Sequence, residues 1–259
     1  MARRIGVKFS PPIPSIQGIP VTAKTVANAY MKYYRNQFIA TNKKLYLNLF
    51  GIRVSTCDTS KPDDIVGGIR LSSSYFLTDE LEAIVTNSST DPAPLWLAKP
   101  FDREAQLKDG TAWLMEGQHL YRYIRTPKSS WSGGGKYCAF CPTKPVPAYR
   151  WKPTAADISA WRSGRVALSD KFIDDLWASK RANFKNSKVK ISDSTDVCIH
   201  RSWAEQLFAD SAGCQVISTA DLNKFVTLCS WAAAHDKKYG NLFTYTLFTS
   251  EQFVLANKI

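Results

Sequence analysis

At 259 residues the chain is long enough to bury a substantial core, as one large domain or two modest ones, and its 44% hydrophobic and 12% aromatic content excludes a disordered polymer. Its 34 Lys+Arg against 22 Asp+Glu give a formal net charge of +12, a field that attracts polyanions and puts nucleic acid first among partners. No stretch approaches a membrane-spanning length and no apolar run follows Arg3-Arg4, so we expect no membrane partner, no secretory leader and a cytoplasmic protein whose cysteines are reduced.

Residues 1–20, with Pro11, Pro12, Pro14 and Pro20, read as an extended arm. From Thr22 to about Ala40, Val26, Tyr30, Tyr33 and Phe38 recur at helical spacing and predict an amphipathic helix with a tyrosine-rich core face. Lys43 to Thr56 alternates as a strand, with Leu45, Leu47 and Leu49 on one side and Tyr46 and Phe50 on the other. Ile65 to Leu71 returns as a second strand carrying a bulge at Gly67-Gly68, where no Lys-Ser/Thr follows to make a phosphate loop. Residues 75–86 fit a short helix or a strand, and 87–94 (Asn-Ser-Ser-Thr-Asp-Pro-Ala-Pro) reads as a loop. Short strands follow at Thr111 to Glu116 and His119 to Arg125.

Beyond them, Pro142 to Pro147 holds the backbone extended. Ala155 to Trp161 and Ser169 to Ser179 predict helices, the second capped by Ser169. Asp196 to Ala209 repeats Ile199, Trp203 and Leu207 on one helical stripe, and Cys214 to Ser218 is a short strand. Thr219 to Ala234 is the clearest helix, with Leu222, Phe225, Val226, Cys229 and Ala233 on one face, and Asn241 to Phe248 closes as a strand. The expected fold class is therefore α+β: a mixed helix and short-strand N-terminal half, then a zinc knuckle and a mostly helical C-terminal half. The corresponding divisions are 1–20, 21–130 and 131–259, which one continuous domain also accommodates.

Two runs concentrate the positive charge. No acid lies between Glu116 and Asp157, where Arg122, Arg125, Lys128, Lys136, Lys144, Arg150 and Lys152 alternate with Tyr121, Tyr123, Trp131, Tyr137, Tyr149 and Trp151. A second acid-free run carries Lys180, Arg181, Lys185, Lys188 and Lys190, with Asn183 and Asn186 either reading an adenine edge or serving a solvated loop. Cations neutralise phosphates and aromatic faces accept unstacked bases. We take Arg122, Arg125, Lys128, Lys136, Arg150, Lys152, Lys180, Arg181, Lys185 and Lys188 as candidate nucleic-acid contacts.

A glycine-led Cys138-Ala139-Phe140-Cys141 has the spacing of half a tetrahedral zinc site. Of the other cysteines, Cys229 reads as a core thiol and Cys57 as structural or incidental. Cys138, Cys141 and Cys198 form the expected ligand set for a structural Zn2+, with His200 or Cys214 as the fourth. If Cys198 opens a helix, His200 points about 200° away from it, whereas a non-helical Cys-Ile-His start lets both face one metal. A thioredoxin-like redox site needs a helix directly after the pair, and Pro142 to Pro147 is a poor start for one. A zinc deaminase needs His-x-Glu, whereas Leu120-Tyr121 follows His119. With three histidines and no Gly-x-Ser-x-Gly, Walker loop or His-Glu-x-x-His, no catalytic residues are assigned and a binding role is expected.

Tyr137-Cys138-Ala139-Phe140-Cys141, the later Leu168-Ser169-Asp170-Lys171-Phe172, and Val197-Cys198 before a tryptophan-containing helix together resemble the zinc-finger large subunit of type IV CRISPR effector complexes. The likeness covers about half of the chain. That family places a further cysteine shortly after its third; here Ile199-His200-Arg201 stands there, with His200 as the substitute. The resemblance implies a non-catalytic subunit of a ribonucleoprotein that holds the guide RNA 5′ end, contacts other effector-complex subunits and senses a flanking motif in target double-stranded DNA. Two other classes compete. One is a viral or mobile-element single-strand nucleic-acid-binding or coat protein; the other is a zinc-dependent nucleic-acid enzyme.

Overall fold

A computed structural model of the chain describes residues 14–34, 47–54, 63–70, 81–92, 97–98, 110–126, 137–195, 197–201, 213–218, 221–223, 225–227, 229–230 and 241–258, in backbone only at 70, 81–87, 124–126, 137–138 and 201. The strands are β1 (Ser15–Ile16), β2 (Ile19–Pro20), β3 (Leu47–Arg53), β4 (Asp64–Arg70), β5 (Leu81–Ser89), β6 (Thr111–Leu114), β7 (Gly117–Thr126), β8 (Tyr137–Pro142), β9 (Val146–Trp151), β10 (Lys190–Ser194), β11 (Ile199–Arg201), β12 (Gln215–Ile217) and β13 (Leu242–Thr249). The helices are α1 (Ala23–Tyr33), α2 (Ala155–Arg162), α3 (Leu168–Arg181) and α4 (Ser250–Asn257), with further helical residues at 221–223, 225–227 and 229–230.

Eight strands close into a barrel in the order β11-β12-β5-β4-β3-β13-β7-β8. Neighbours run antiparallel except β11 with β12 and β13 with β3. Its strands come from both halves of the sequence because β13 lies between β3 and β7. Alternation on β13 explains the placement: Phe243, Tyr245 and Leu247 enter the central core, while Phe248 packs outward beneath α1 and α4. The interior is filled with aromatic rings. Phe140 lies 5.2 Å from Phe225 and 5.9 Å from Phe243, and Tyr121 lies 5.3 Å from Tyr245. The Tyr245 hydroxyl donates to Gln215 Oε1 at 3.0 Å, and its ring crosses Gly51 so closely that a Cβ there would collide with the hydroxyl. That close approach is why a glycine stands within β3.

α1 and α4 cover the outer face of β3, β4 and β13. Thr22 caps α1, the Tyr30 hydroxyl donates to the Leu49 carbonyl at 3.0 Å, and Asn257 Nδ2 donates to the Thr25 carbonyl at 3.0 Å to bind the helices together. A second sheet, β10-β9-β6, extends from the barrel because two ladders continue across bends. Met115 N donates to the Pro147 carbonyl at 3.0 Å, and Thr143 N to the Leu120 carbonyl at 2.9 Å. Ala112, Leu114, Val146 and Ala148 face the barrel core, while Trp113, Tyr149 and Trp151 face α3.

The C-terminal half is accordingly not mostly helical, since residues 137–258 contribute β8 to β13. The expected helix from Asp196 is overturned where β11 pairs with β8 and β12; residues 202–212 lie outside the described set. The zinc knuckle is also corrected. Residues 137–142 are an extended strand paired with β7, which sets the Cα atoms of residues three apart about 10 Å from each other instead of folding them round one ion. Ser169 does not cap α3, whose N-cap is Ala167 without a side-chain bond. Strand β5 runs on through Ser88-Ser89, which the sequence places in a loop, because both residues pair with β12. Of the expected arm, residues 15–20 form a hairpin turned at Gln17-Gly18 with φ of 49° and 80°, and residues 1–13 lie outside the described set.

Candidate nucleic-acid interface

α3 forms because Leu168, Phe172 and Leu176 recur every four residues and bury against Trp113 and Trp151, with Phe172 stacked 4.0 Å from Trp113. Asp170 at its start and Lys180 and Arg181 at its end complement the helix dipole. Asp175 is buried, accepts the Trp151 indole N–H at 3.0 Å and meets Lys171 at 3.0 Å. The opposite face carries Trp177, 44% exposed, whose ring lies 5.2 Å from Lys180 Nζ.

The chain then turns through Asn183, Phe184 and Asn186, all with positive φ near 50°. Asparagine tolerates that left-handed conformation, so a backbone requirement accounts for Asn183 and Asn186. Phe184 stacks on Tyr149 at 5.9 Å, and Val189 N donates to Ser179 Oγ at 3.3 Å, holding the returning chain against the helix. Arg181, Lys185, Lys188 and Lys190 are all exposed, Lys188 with its Nζ 3.6 Å from Asp175 Oδ1, and residues 176–192 contain no acid. Lys180 is more constrained: it reaches Glu116 at 3.5 Å and lies 5.1 Å from the Tyr149 ring. Burial alone would raise the Glu116 carboxyl, but the Lys180 and Arg53 charges and the Tyr149 hydroxyl outweigh it and hold it below the usual range.

The other expected contacts separate. Arg122 and Lys152 are exposed, on β7 and after β9 respectively. Arg150 is buried, donating from Nε to Ser192 Oγ at 3.2 Å and from Nη1 to the Gly110 carbonyl at 3.3 Å, so its side chain is spent within the second sheet. Lys128 and Lys136 lie outside the described residues, as does the side chain of Arg125. Trp177 was missed in the sequence, although it sits three residues before Lys180 on the side of α3 away from the Leu168-Phe172-Leu176 stripe.

The expected metal ligands also divide. Cys141 and Cys198 form a disulfide with Cα atoms 4.4 Å apart, overturning the expectation of reduced thiols, and Cys214 packs beside them as a thiol. His200 is buried on β11 opposite Ala139; in a strand it shares a face with Cys198, which the helical reading denied it. The Cys138 side chain and all of Cys57 lie outside the described residues. A zinc centre needs thiolates at both Cys141 and Cys198, and the disulfide removes both, so the donor set as folded does not fit one.

A carboxylate group absent from the sequence reading gathers where the barrel meets the second sheet. Oxygens of Asp63, Asp64 and Asp91 lie within 4.8 Å of one another. Arg53 enters this group, with Nε 3.3 Å from Asp91 Oδ1, Nη1 donating to the Leu114 carbonyl at 2.9 Å and Nη2 to the Thr90 carbonyl at 3.1 Å. Asp64 accepts the backbone N–H groups of Val54 and Thr90, yet its complete burial pushes its pKa up to about 6. The arrangement ties the ends of β3, β4, β5 and β6 together.

Among the described residues no helix is long and apolar enough to cross a membrane. Compared with protein-family models, curated proteins and solved structures, the chain matches no family model, no curated protein and no solved structure.

Proposed function

We propose that this chain binds nucleic acid as a subunit of a ribonucleoprotein, meeting unpaired nucleotides with the face formed by the C-terminal end of α3, the following turn and β10. One observation carries the reading: Trp177, 44% exposed with Lys180 Nζ 5.2 Å from its ring, lies in a stretch, 176 to 192, that has no acid and exposes Arg181, Lys185, Lys188 and Lys190. An exposed indole accepts an unstacked base while neighbouring cations track the phosphates.

The finer assignment, a type IV CRISPR large subunit holding the guide RNA 5′ end and sensing the target flank, rests on the resemblance of the cysteine-bearing and α3 segments. Its guide-RNA half requires the same preference for single strands. Titration of labelled single-stranded RNA, single-stranded DNA and duplex DNA at increasing salt tests the general reading. Binding should favour the single strands and weaken steeply with salt, with a logarithmic slope of about −0.7 per phosphate neutralised. Salt-independent binding, or none at low salt, would refute it. Sequencing RNA that co-purifies from the host tests the finer assignment: one guide-length species supports it, and heterogeneous RNA favours a general single-strand binder.

A further inference from the structure

Cys141, Cys198 and Cys214 stand in one lateral row across three neighbouring strands. Phe140 pairs with Ile199 on the antiparallel β8 and β11, which sets Cys141 opposite Cys198 one position further along. Ile199 pairs with Gln215 on the parallel β11 and β12, and Gln215 N donates to the Cys198 carbonyl at 2.8 Å, which sets Cys214 beside Cys198 on its other flank. Neighbouring strands lie about 4.8 Å apart. Phe140, Ile199 and Ile217 enter the central core, so the three cysteines take the outer face, where they pack as one cluster with Ala139.

The geometry points to a three-sulfur exchange site, in which the disulfide passes from Cys141–Cys198 to Cys198–Cys214 and delivers a thiolate at Cys141. Displacement at sulfur needs the attacking, central and leaving sulfurs in line, and the row supplies that order: Cys214, Cys198, Cys141. The Cys214 thiol gives its proton to solvent base, and its thiolate forms a bond to Cys198 Sγ. The Cys198–Cys141 bond breaks, its electron pair leaves on Cys141 Sγ, and that sulfur takes up a proton from solvent. No oxidant or reductant is consumed. The cross-link moves from the β8–β11 seam to the β11–β12 seam.

Two features favour Cys141 as the point of delivery. It is partly exposed, whereas Cys198 and Cys214 are buried, so a thiolate there meets water and low-molecular-weight thiols. Arg122, exposed on β7, pairs with Cys141 in the β7–β8 register, and a cation on the adjacent strand stabilises the leaving thiolate. Cys229 takes no part. It belongs to the central core, where burial pushes its thiol far up.

Folded full-length protein, incubated without reductant at pH 8 and quenched with N-ethylmaleimide, tests the proposal by non-reduced peptide mapping. Trypsin cuts after Arg201 and so separates Cys198 from Cys214; fragment ions separate Cys141 from Cys138. Two populations are expected: Cys141–Cys198 with Cys214 alkylated, and Cys198–Cys214 with Cys141 alkylated. Cys214→Ser should abolish the second entirely, and Cys141→Ser treated with diamide should form only Cys198–Cys214. Wild-type protein showing Cys141–Cys198 alone, together with no Cys198–Cys214 link in folded Cys141→Ser, would overturn the proposal. So would a bound zinc whose removal by chelator is required before the three thiols can be alkylated. The wild-type map stands by itself should Cys141→Ser fail to fold.

Discussion

Replacing Arg53 with Met distinguishes a structural carboxylate cluster from a metal centre. The guanidinium donates to Thr90 Oγ1 at 2.9 Å, to the Leu114 carbonyl at 2.9 Å and to the Thr90 carbonyl at 3.1 Å, contacts Asp91 at 3.3 Å, and lies 5.0 Å from the Trp113 ring centre. Methionine restores much of the aliphatic volume and none of these bonds. Buried Asp91 then loses the Arg53 guanidinium and the Thr90 and Leu114 carbonyls lose their donor, a change that costs about 3–5 kcal/mol. Against a total stability of roughly 5–15 kcal/mol this is a large loss, and with a urea dependence of about 3 kcal/mol per molar it lowers the unfolding midpoint by about 1 M or more. Chemical denaturation followed by tryptophan fluorescence measures it. Adding Asp91→Asn removes the carboxylate charge that Arg53 faces, so the double variant should recover about 1–3 kcal/mol relative to the sum of the single changes. A loss below about 1 kcal/mol in Arg53→Met would refute the structural role. So would an Arg53→Met protein that binds Mg2+ or Mn2+ tightly and melts higher with it, since removing the resident cation would then have uncovered a metal site.

Other consequences follow from the same contacts. Gly51→Ala drives a Cβ into the Tyr245 hydroxyl and disturbs its bond to Gln215, costing about 2–5 kcal/mol; thermal or urea melts should show Tyr245→Phe in the same chain restoring part of it. His119 is buried, and although a ring nitrogen lies 3.1 Å from the Met115 carbonyl, burial holds its pKa below the usual value. Its stabilising contribution is complete above about pH 6.5 and is lost as pH falls through its depressed folded-state pKa. Asp64, pushed up to about 6, acts in the opposite sense, because protonation relieves its burial as pH falls from 6 towards 4. The difference in stability between wild type and His119→Gln isolates the histidine: it should shrink on acidification, and a constant difference from pH 7.5 to 5 would count against this reading.

Local pattern predicted several elements because the fold obeys it. Leu47 and Leu49 face the core while Phe50 faces α1, and Leu222, Phe225 and Cys229 bury together from one helical stretch. The charge runs also located the exposed cations beyond Lys180. Long-range pairing hid the rest. Ile199, Trp203 and Leu207 have helical spacing, but β11 lies between β8 and β12, partners distant in sequence. Asn87-Ser88-Ser89 has loop composition, but Ser88 Oγ donates to the Asp64 carbonyl at 2.6 Å and both serines pair with β12. The two-residue spacing between Cys138 and Cys141 has the same form in a turn as in a strand; only the pairing of β8 with β7 and β11 decides between them. Arg150 looked like a phosphate contact because charge alone does not reveal that Ser192 and the Gly110 carbonyl already occupy it.

The central claim is that the end of α3 and the turn beyond it form a single-strand binding face. Its most direct test is fluorescence anisotropy of labelled single-stranded RNA with wild type, Trp177→Ala and Arg181→Ala/Lys185→Ala, each first shown to melt normally. Trp177→Ala should weaken binding by about 1–3 kcal/mol, or roughly 5- to 150-fold, through loss of base stacking. Losing the two cations should make the logarithmic salt slope shallower by about 1.4. Unchanged affinity and salt slope in both variants would contradict the account.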